Sequence, residues 1–179
     1  LYSLGEFLPG LMHSYPKLKF DLIHDHSRKI LAQIVEREID FGLVINPVKQ
    51  NELVIKKLFT DDVTFYSRAE NISEQAKKIL ICDSELLQVD SIFKKSKEFL
   101  KGKRLVTTKS LEVVKSLTEN GLGIGILPGR VAGARLRIFD KNLPVFKDEL
   151  ALVYRGDIIK SPAVKIIRDA IVDGLNDNK

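Results

Sequence analysis

The sequence contains few of the residues on which metal and redox chemistry depend. Cys82 is its one cysteine, and only three of the 179 residues are histidines. A lone cysteine cannot form an intramolecular disulfide, so we expect a reducing, cytoplasmic setting. We interpret Cys82 as a buried strand residue rather than a redox switch. Because a stable metal site normally has three or four protein ligands, we predict no metal, and we also expect no cofactor.

Long apolar runs are absent as well. The longest apolar stretches are only a few residues, whereas a membrane-spanning helix needs roughly 20. The start of the chain also lacks the apolar core of a signal peptide, so we predict neither membrane association nor export. Leu1 is not an initiator methionine, and we therefore expect part of the protein to precede it.

Signatures of catalysis are also missing. No Gly-x-Ser-x-Gly sequence, which would position a serine nucleophile, occurs in the chain. The glycine-rich stretch Gly121–Gly125 follows a predicted helix and opens a predicted strand, whereas a dinucleotide-binding loop follows a strand and opens a helix. We therefore predict no catalytic residues and no enzymatic activity.

What the sequence does contain is typical of a soluble globular protein. Hydrophobic residues make up 44% and charged residues 30%, and the formal net charge is +5. The positive charge mildly favours anionic partners. We define the basic cluster as Lys94, Lys95, Lys97, Lys101, Lys103 and Arg104. We interpret it as a solvated helix face, the alternatives being attraction of an anionic ligand and proximity to DNA.

Residues 18–45 predict a βαβ unit. Leu18–His24 alternates between apolar and polar residues, which is typical of a strand near a sheet edge. Ser27 is the predicted N-cap of a helix. The apolar stripe of this helix consists of Ile30, Leu31, Ile34 and Val35. Phe41–Ile45 is continuously apolar, as in a parallel strand buried on both faces, and the crossover should be right-handed.

The remaining elements predict two lobes. Helices should begin at Ser3 with a capping box to Glu6, near Asp90, after Ser110 and after Ser161. The predicted strands are Leu53–Phe59, Val63–Tyr66, Ile79–Cys82, Arg104–Thr107, Gly123–Leu127 and Leu150–Tyr154, with Asp61 and Asp62 separating the first two. The last strand should return to the first lobe, which predicts subdomains of residues 1–66 plus 150–179 and 67–149, with a cleft between them.

Candidate ligand positions follow from this architecture, because open α/β sheets bind ligands at the carboxyl ends of strands near helix amino termini. Asn46 follows one such strand, and His24 to Ser27 follow another. Ser3 and Ser27 are also plausible as simple helix caps, each worth about 1 kcal/mol, but capping and anion binding are compatible. We interpret His26 as a polar cleft residue rather than a metal ligand.

Several segments taken together resemble a known family. The first group is Ser3 to Pro9, Tyr15-Pro16, Asp25 to Arg28 and Ile39 to Leu43. The second and stronger group is Ser110 to Val114 running into Gly121 to Pro128, completed by Tyr154-Arg155 and Ser161-Pro162. Their order and spacing resemble the effector-binding domain of LysR-type transcriptional regulators.

The resemblance implies a periplasmic-binding-protein type 2-like fold of two Rossmann-like subdomains. A small effector, often an organic anion, would occupy the cleft, and the domain would be a two-state switch without catalysis. DNA would be held only by a separate upstream winged helix-turn-helix domain, joined by a linker helix. Family members pair antiparallel into homodimers, usually within homotetramers. The stretches 67–73 and 130–135 are shorter here than the family usually has.

Residues carried over by position complete the hypothesis. Ser3 and Ser27 match hydroxyl residues that contact effector at helix amino termini, and Asn46 and Thr107 match strand ends in the cleft. The predicted effector site consists of Tyr2, Ser3, His26, Ser27, Asn46 and Thr107. The alternative is a solute-binding protein of a transport system with the same fold, against which the missing export signal and disulfides argue.

Overall fold

The computed structural model describes residues 4–68 and 72–176. The helices are α1 Leu4–Ser14, α2 Ser27–Val35, α3 Leu87–Lys95, α4 Lys97–Leu100, α5 Leu111–Glu119, α6 Gly129–Ala132 and α7 Pro162–Asn176. The strands are β1 Phe41–Ile45, β2 Leu53–Arg68, β3 Ile79–Cys82, β4 Arg104–Thr107, β5 Ile124–Pro128, β6 Leu136–Ile138 and β7 Phe146–Arg155. The predicted α/β class is confirmed. None of the helices within these two ranges has the length and apolar character needed to cross a membrane.

The chain divides into two compact units. Unit 1 comprises Leu1–Thr60 and Glu149–Lys179, and unit 2 comprises Asp61–Asp148. Strands β2 and β7 each contribute residues to both units. The predicted interruption at Asp61 and Asp62 is wrong, because β2 continues through both residues. Asp62 is exposed and Asp61 only half-buried, so the strand accommodates both carboxylates without a break.

Unit 1 is built on antiparallel pairing of β1 with β7. Phe41 lies opposite Tyr154, and Ile45 lies opposite Leu150. The strand predicted at residues 41–45 is confirmed, but its predicted parallel arrangement is wrong. A continuous apolar run reports burial on both faces and carries no information about the direction of the neighbouring strand.

Both faces of the β1–β7 pair are covered by helices. On the face that packs on α2, Ile34, Val44 and Ala151 are fully buried. On the opposite face, Phe7 of α1 and Leu152 of β7 belong to a second apolar cluster with α7. The predicted stripe of α2 is confirmed at Ile30, Leu31 and Ile34, whereas Val35 is 36% exposed.

The predicted strand Leu18–His24 does not form, and the βαβ unit is therefore wrong. These residues connect α1 to α2 without regular structure, and Leu22 and Ile23 are exposed. Alternation of apolar and polar residues is not sufficient for a strand, because a strand also needs a neighbour to share backbone hydrogen bonds. Within the ranges that the structure covers, β1 pairs with β7 and not with this segment.

Unit 2 contains three parallel strands in the order β5-β3-β4, with the second half of β2 antiparallel to β5. Strand β6 pairs with the end of β2. One apolar cluster includes Val89 and Ile92 of α3, and another includes Val114 of α5. Helices therefore contribute to two separate cores around the same strands.

Several predicted helix boundaries are confirmed. The Ser110 Oγ accepts a hydrogen bond from the Val113 amide at 3.4 Å, capping α5. Gly121 follows α5 with a φ of 78°, the left-handed conformation that ends many helices. Helix α7 begins at Pro162, directly after Ser161.

The helix predicted from Asp90 to Leu100 begins earlier, at Leu87, and is interrupted at Ser96. The capping box from Ser3 falls outside the described residues, and α1 begins at Leu4.

Gly174 provides a test of the α1–α7 packing. A Cβ atom at Gly174 would lie 2.5 Å from the Phe7 Cβ and 3.3 Å from the Phe7 Cα. We expect Gly174→Ala to reduce the free energy of unfolding by about 1–3 kcal/mol, because the helices must move apart. Thermal and denaturant unfolding measure the change.

Gly10→Ala in α1 is the matched control, because a Cβ at Gly10 meets nothing within 4 Å. This substitution should increase the free energy of unfolding by about 0.5–1 kcal/mol through helix propensity. Equal effects of the two substitutions would contradict the described packing.

Candidate functional site

The hydroxyl of Ser27 joins the start of α2 to the end of β1. Its Oγ accepts a hydrogen bond from the Ile45 amide at 3.3 Å. Ser27 is the first residue of α2, and the N-cap is His26, which makes no side-chain cap. The prediction of Ser27 as the N-cap is therefore wrong by one residue. The reason is tertiary, since the hydroxyl bonds to a strand 18 residues away rather than to its own helix.

Asn46 extends the pairing of β1 with β7 beyond the end of the strand. Its backbone amide donates to the carbonyl oxygen of Glu149 at 2.8 Å, and its Oδ1 accepts from the Glu149 amide at 2.8 Å. Asn46 has a φ of 49°, a left-handed conformation that asparagine tolerates better than most residues. Because Ile45 bonds to Ser27 and precedes Asn46, the structure brings these two predicted site residues together.

Asp25 and His26 complete this corner of unit 1. The Asp25 carboxylate lies 2.5 Å from the Lys29 Nζ and accepts the His26 amide at 2.8 Å. The hydrogen bond from Lys29, followed by that from His26, lowers the pKa of Asp25. The imidazole of His26 is exposed. No group of three or more potential metal ligands occurs among residues 4–68 and 72–176.

Thr107 lies in unit 2, at the carboxyl end of β4. It is exposed and is paired in register with Cys82 of β3. The following residues form a polar turn, in which the Thr108 amide donates to the Cys82 carbonyl at 3.1 Å and the Ser110 amide donates to the Thr108 Oγ1 at 3.3 Å. Thr107 therefore lies shortly before the amino terminus of α5. Ser27 is likewise at a helix amino terminus, that of α2. Tyr2 and Ser3 lie outside the described residues.

Asp61 is a candidate site residue that the sequence did not predict. Its Oδ2 accepts a hydrogen bond from the Arg130 amide at 3.3 Å, just beyond the carboxyl end of β5. Burial raises the pKa of Asp61 despite this bond. The sequence placed Asp61 in a break between strands. Because Val63 is paired with Pro128, the last residue of β5, Asp61 lies at the carboxyl edge of the parallel strands, the same edge as Thr107.

A buried carboxylate was also missed. Asp148 is 4% exposed, and both its oxygens accept from the Gln88 Nε2, at 2.9 and 3.0 Å. These residues are 60 positions apart, so no local pattern predicts their contact.

Cys82 is fully buried in β3, as the sequence predicted. Burial, reinforced by the nearby Asp83 carboxylate, raises the pKa of its thiol to about 11. A thiol that is buried and protonated at neutral pH is a poor nucleophile.

Comparison with known proteins identifies the family. The family model described as the LysR substrate binding domain matches residues 1–176. The chain belongs to the LysR substrate-binding domain family. It is thus an effector-binding domain of the kind found in LysR-type regulators, with their periplasmic-binding-protein type 2-like fold. No protein of curated function matches it.

Solved structures of low identity share this fold. The reduced OxyR regulatory domain from Pseudomonas aeruginosa is 17% identical, with a TM-score of 0.68 over 97% of this chain and 89% of that chain. The CcmR regulatory domain from Synechocystis, in complex with 2-PG, is 16% identical, with a TM-score of 0.71 over 99% and 95% of the two chains. Full-length LysG from Corynebacterium glutamicum, with bound effector Arg, is 12% identical, with a TM-score of 0.72 over 98% and 64%.

The burial of Cys82 predicts low thiol reactivity. With a pKa of about 11, roughly 0.1% of the thiol is ionised at pH 8, so Ellman's reagent should react at least about 100-fold more slowly than with the unfolded chain. Ser116→Cys supplies the control, because position 116 is exposed on α5 and its thiol should react rapidly. Equal labelling rates for Cys82 and this exposed thiol would contradict the buried environment.

Proposed function

We propose that the chain is the sensory part of a LysR-type transcriptional regulator that acts in the cytoplasm and has no enzymatic activity. Membership of the LysR substrate-binding domain family carries this proposal. DNA recognition would reside in a separate upstream winged helix-turn-helix domain, and this domain would report the presence of a small metabolite.

The amino terminus of α2 supports an anionic effector. A helix amino terminus presents unpaired amides and a partial positive charge. In α2 the N-cap residue makes no side-chain cap, and the first turn contains no acidic residue. Ser27 accepts a bond from Ile45, which leaves its hydroxyl hydrogen to donate to an anion. The net charge of +5 also favours an anion.

Four of the described residues are proposed to contact the effector. Ser27, Asn46 and His26 come from unit 1, and Thr107 comes from unit 2. Tyr2 and Ser3 remain proposed members on the basis of their position in the sequence. A regulatory switch requires an effector that binds one of two conformational states more tightly than the other.

Thermal stability in the presence of small organic anions tests the proposal. A ligand that binds only the native state must raise the melting temperature as its concentration exceeds its dissociation constant. We expect at least one carboxylate or phosphate ester from a metabolite panel to do so. Ser27→Ala and Thr107→Val should each weaken binding at least about fivefold, the cost of one lost hydrogen bond.

Ser116→Ala, on the exposed side of α5, is the control and should bind the same ligand with unchanged affinity. A ligand whose affinity is unchanged in both site variants would overturn the residue assignment. Stabilisation by cationic metabolites alone would overturn the anionic class.

We also propose that the chain forms homodimers through exposed apolar side chains, with tetramers built from such dimers. Leu22 and Ile23, which follow α1, are 57% and 48% exposed in unit 1. Leu105 of β4 and Val113 of α5 are 49% and 43% exposed in unit 2. Strand β4 lies at the end of the strand order and its outer edge can face a partner. Antiparallel association would cover a unit 1 patch with a unit 2 patch.

Analytical ultracentrifugation of Leu22→Glu and Leu105→Glu tests the dimer. Each change should raise the dimer dissociation constant at least about tenfold, because a buried leucine contributes about 1.5–3 kcal/mol. Val48→Glu is the control, since Val48 is 73% exposed in a loop outside the patches. Dimers that all three variants weaken equally, or a chain that is monomeric at high concentration, would contradict the proposal.

A further inference from the structure

Cations from distant parts of the sequence meet at the amino-terminal edge of the parallel strands in unit 2. Ile79 of β3 lies opposite Arg104 of β4, so the residues before these strands are neighbours. Lys78 and Lys103 directly precede the two strands, and the Lys103 Nζ donates to the carbonyl oxygen of Lys77, one residue earlier in the chain, at 2.6 Å. The Lys103 Nζ also lies 4.0 Å from the centroid of the Phe99 ring, which holds the side chain in place.

The connection between β3 and β4 brings further cations to the same edge. Because the two strands are parallel, α3 and α4 must return the chain to the edge where β3 began. Lys94 and Lys95 end α3, Lys97 begins α4, and Lys101 follows it. We call this surface the basic pole, defined as the basic cluster together with Lys77 and Lys78.

The charge of the basic pole is only partly neutralised. Residues 74–109 contain nine basic and five acidic residues, an excess of +4 in a chain of net charge +5. Exposed acidic residues pair with three lysines of the basic pole, in the pairs Lys77–Glu74, Lys94–Asp90 and Lys101–Glu98, and Glu85 pairs with Lys109 outside the pole. Within the described ranges, no ion pair involves Lys78, Lys95, Lys97 or Arg104, all of which are exposed.

The composition of the pole favours phosphate over a protein surface. Lysine is depleted in the buried parts of protein–protein interfaces, whereas lysine and arginine supply most contacts to nucleic-acid phosphates. We propose that the basic pole binds the phosphate backbone of duplex DNA without regard to its sequence. It lies at the amino ends of the strands, whereas Thr107 lies at the carboxyl end of β4, so the pole is separate from the proposed effector site.

The expectation that DNA is the relevant polyanion rests on the proposed regulatory function. In that setting the pole would add affinity to whatever a separate DNA-binding domain supplies, and would orient unit 2 toward the duplex. Its contribution should depend strongly on salt, because each neutralised phosphate releases counterions.

Fluorescence anisotropy with a labelled duplex of about 25 base pairs and arbitrary sequence tests the proposal on this chain. If four cations contact phosphates, affinity should fall about 100-fold between about 50 and 200 mM KCl, equally for unrelated duplex sequences. Lys95→Glu combined with Lys97→Glu should weaken binding at least about tenfold and reduce the salt slope by about two.

Lys49→Glu combined with Lys160→Glu is the matched control, because it changes net charge equally at two exposed positions of unit 1. It should leave affinity within about twofold, because neither residue belongs to the basic pole. Equal losses in the two double variants, or no binding at low salt, would overturn the proposal. Tighter binding of poly-L-glutamate than of duplex DNA would overturn it in favour of an acidic protein partner.

The effector measurement separates this inference from the proposed function. The Lys95→Glu, Lys97→Glu variant should retain the ligand-induced rise in melting temperature, because neither residue belongs to the proposed effector site. Effector binding without any DNA binding would overturn the basic-pole assignment alone.

Discussion

The antiparallel pairing of β1 with β7 is the interaction on which unit 1 depends. It places Leu150–Tyr154, from near the end of the chain, beside a strand more than one hundred positions earlier. Both apolar clusters of the unit form around this pair. At one end of the pair, Arg155 donates from its Nη1 to the Ile34 carbonyl at 2.6 Å and so satisfies the carboxyl end of α2. At the other end, Asn46 continues the ladder to Glu149.

The same pairing shapes the candidate site. Ile45 ends β1, and its amide is bonded to Ser27 at the start of α2, so helix and strand are joined at their polar ends. In unit 1 the side chains of Ser27 and Asn46 are therefore held in place by hydrogen bonds from backbone amides. In unit 2 different polar residues lie at the two ends of the parallel strands. Thr107 and Asp61 lie at the carboxyl edge, and lysines accumulate at the amino edge.

Local signals predicted much of the secondary structure correctly. The stripe of α2, the cap at Ser110 and the start of α7 at Pro162 depend on residues within one or two helical turns. The failures in strand prediction and in the role of Ser27 concern distant neighbours. Residues 18–24 alternate like a strand but lack a pairing partner in the described structure, and β2 continues through two aspartates because neighbouring strands hold it. Ser27 was placed at the right corner, but with the wrong hydrogen-bond partner.

The sequence by itself determined the α/β class, the burial of Cys82 and the excess of positive charge, because composition and short-range periodicity carry this information. It also determined the family resemblance, which rests on the order and spacing of several short segments. Tertiary structure alone decided the direction of β1, the approach of Ser27 to Ile45 and the meeting of Gln88 with Asp148. It also decided that Lys77 meets Lys103. Each of these contacts joins residues at least 18 positions apart, and a strand's pattern of side chains specifies which faces are buried but not which strand lies alongside.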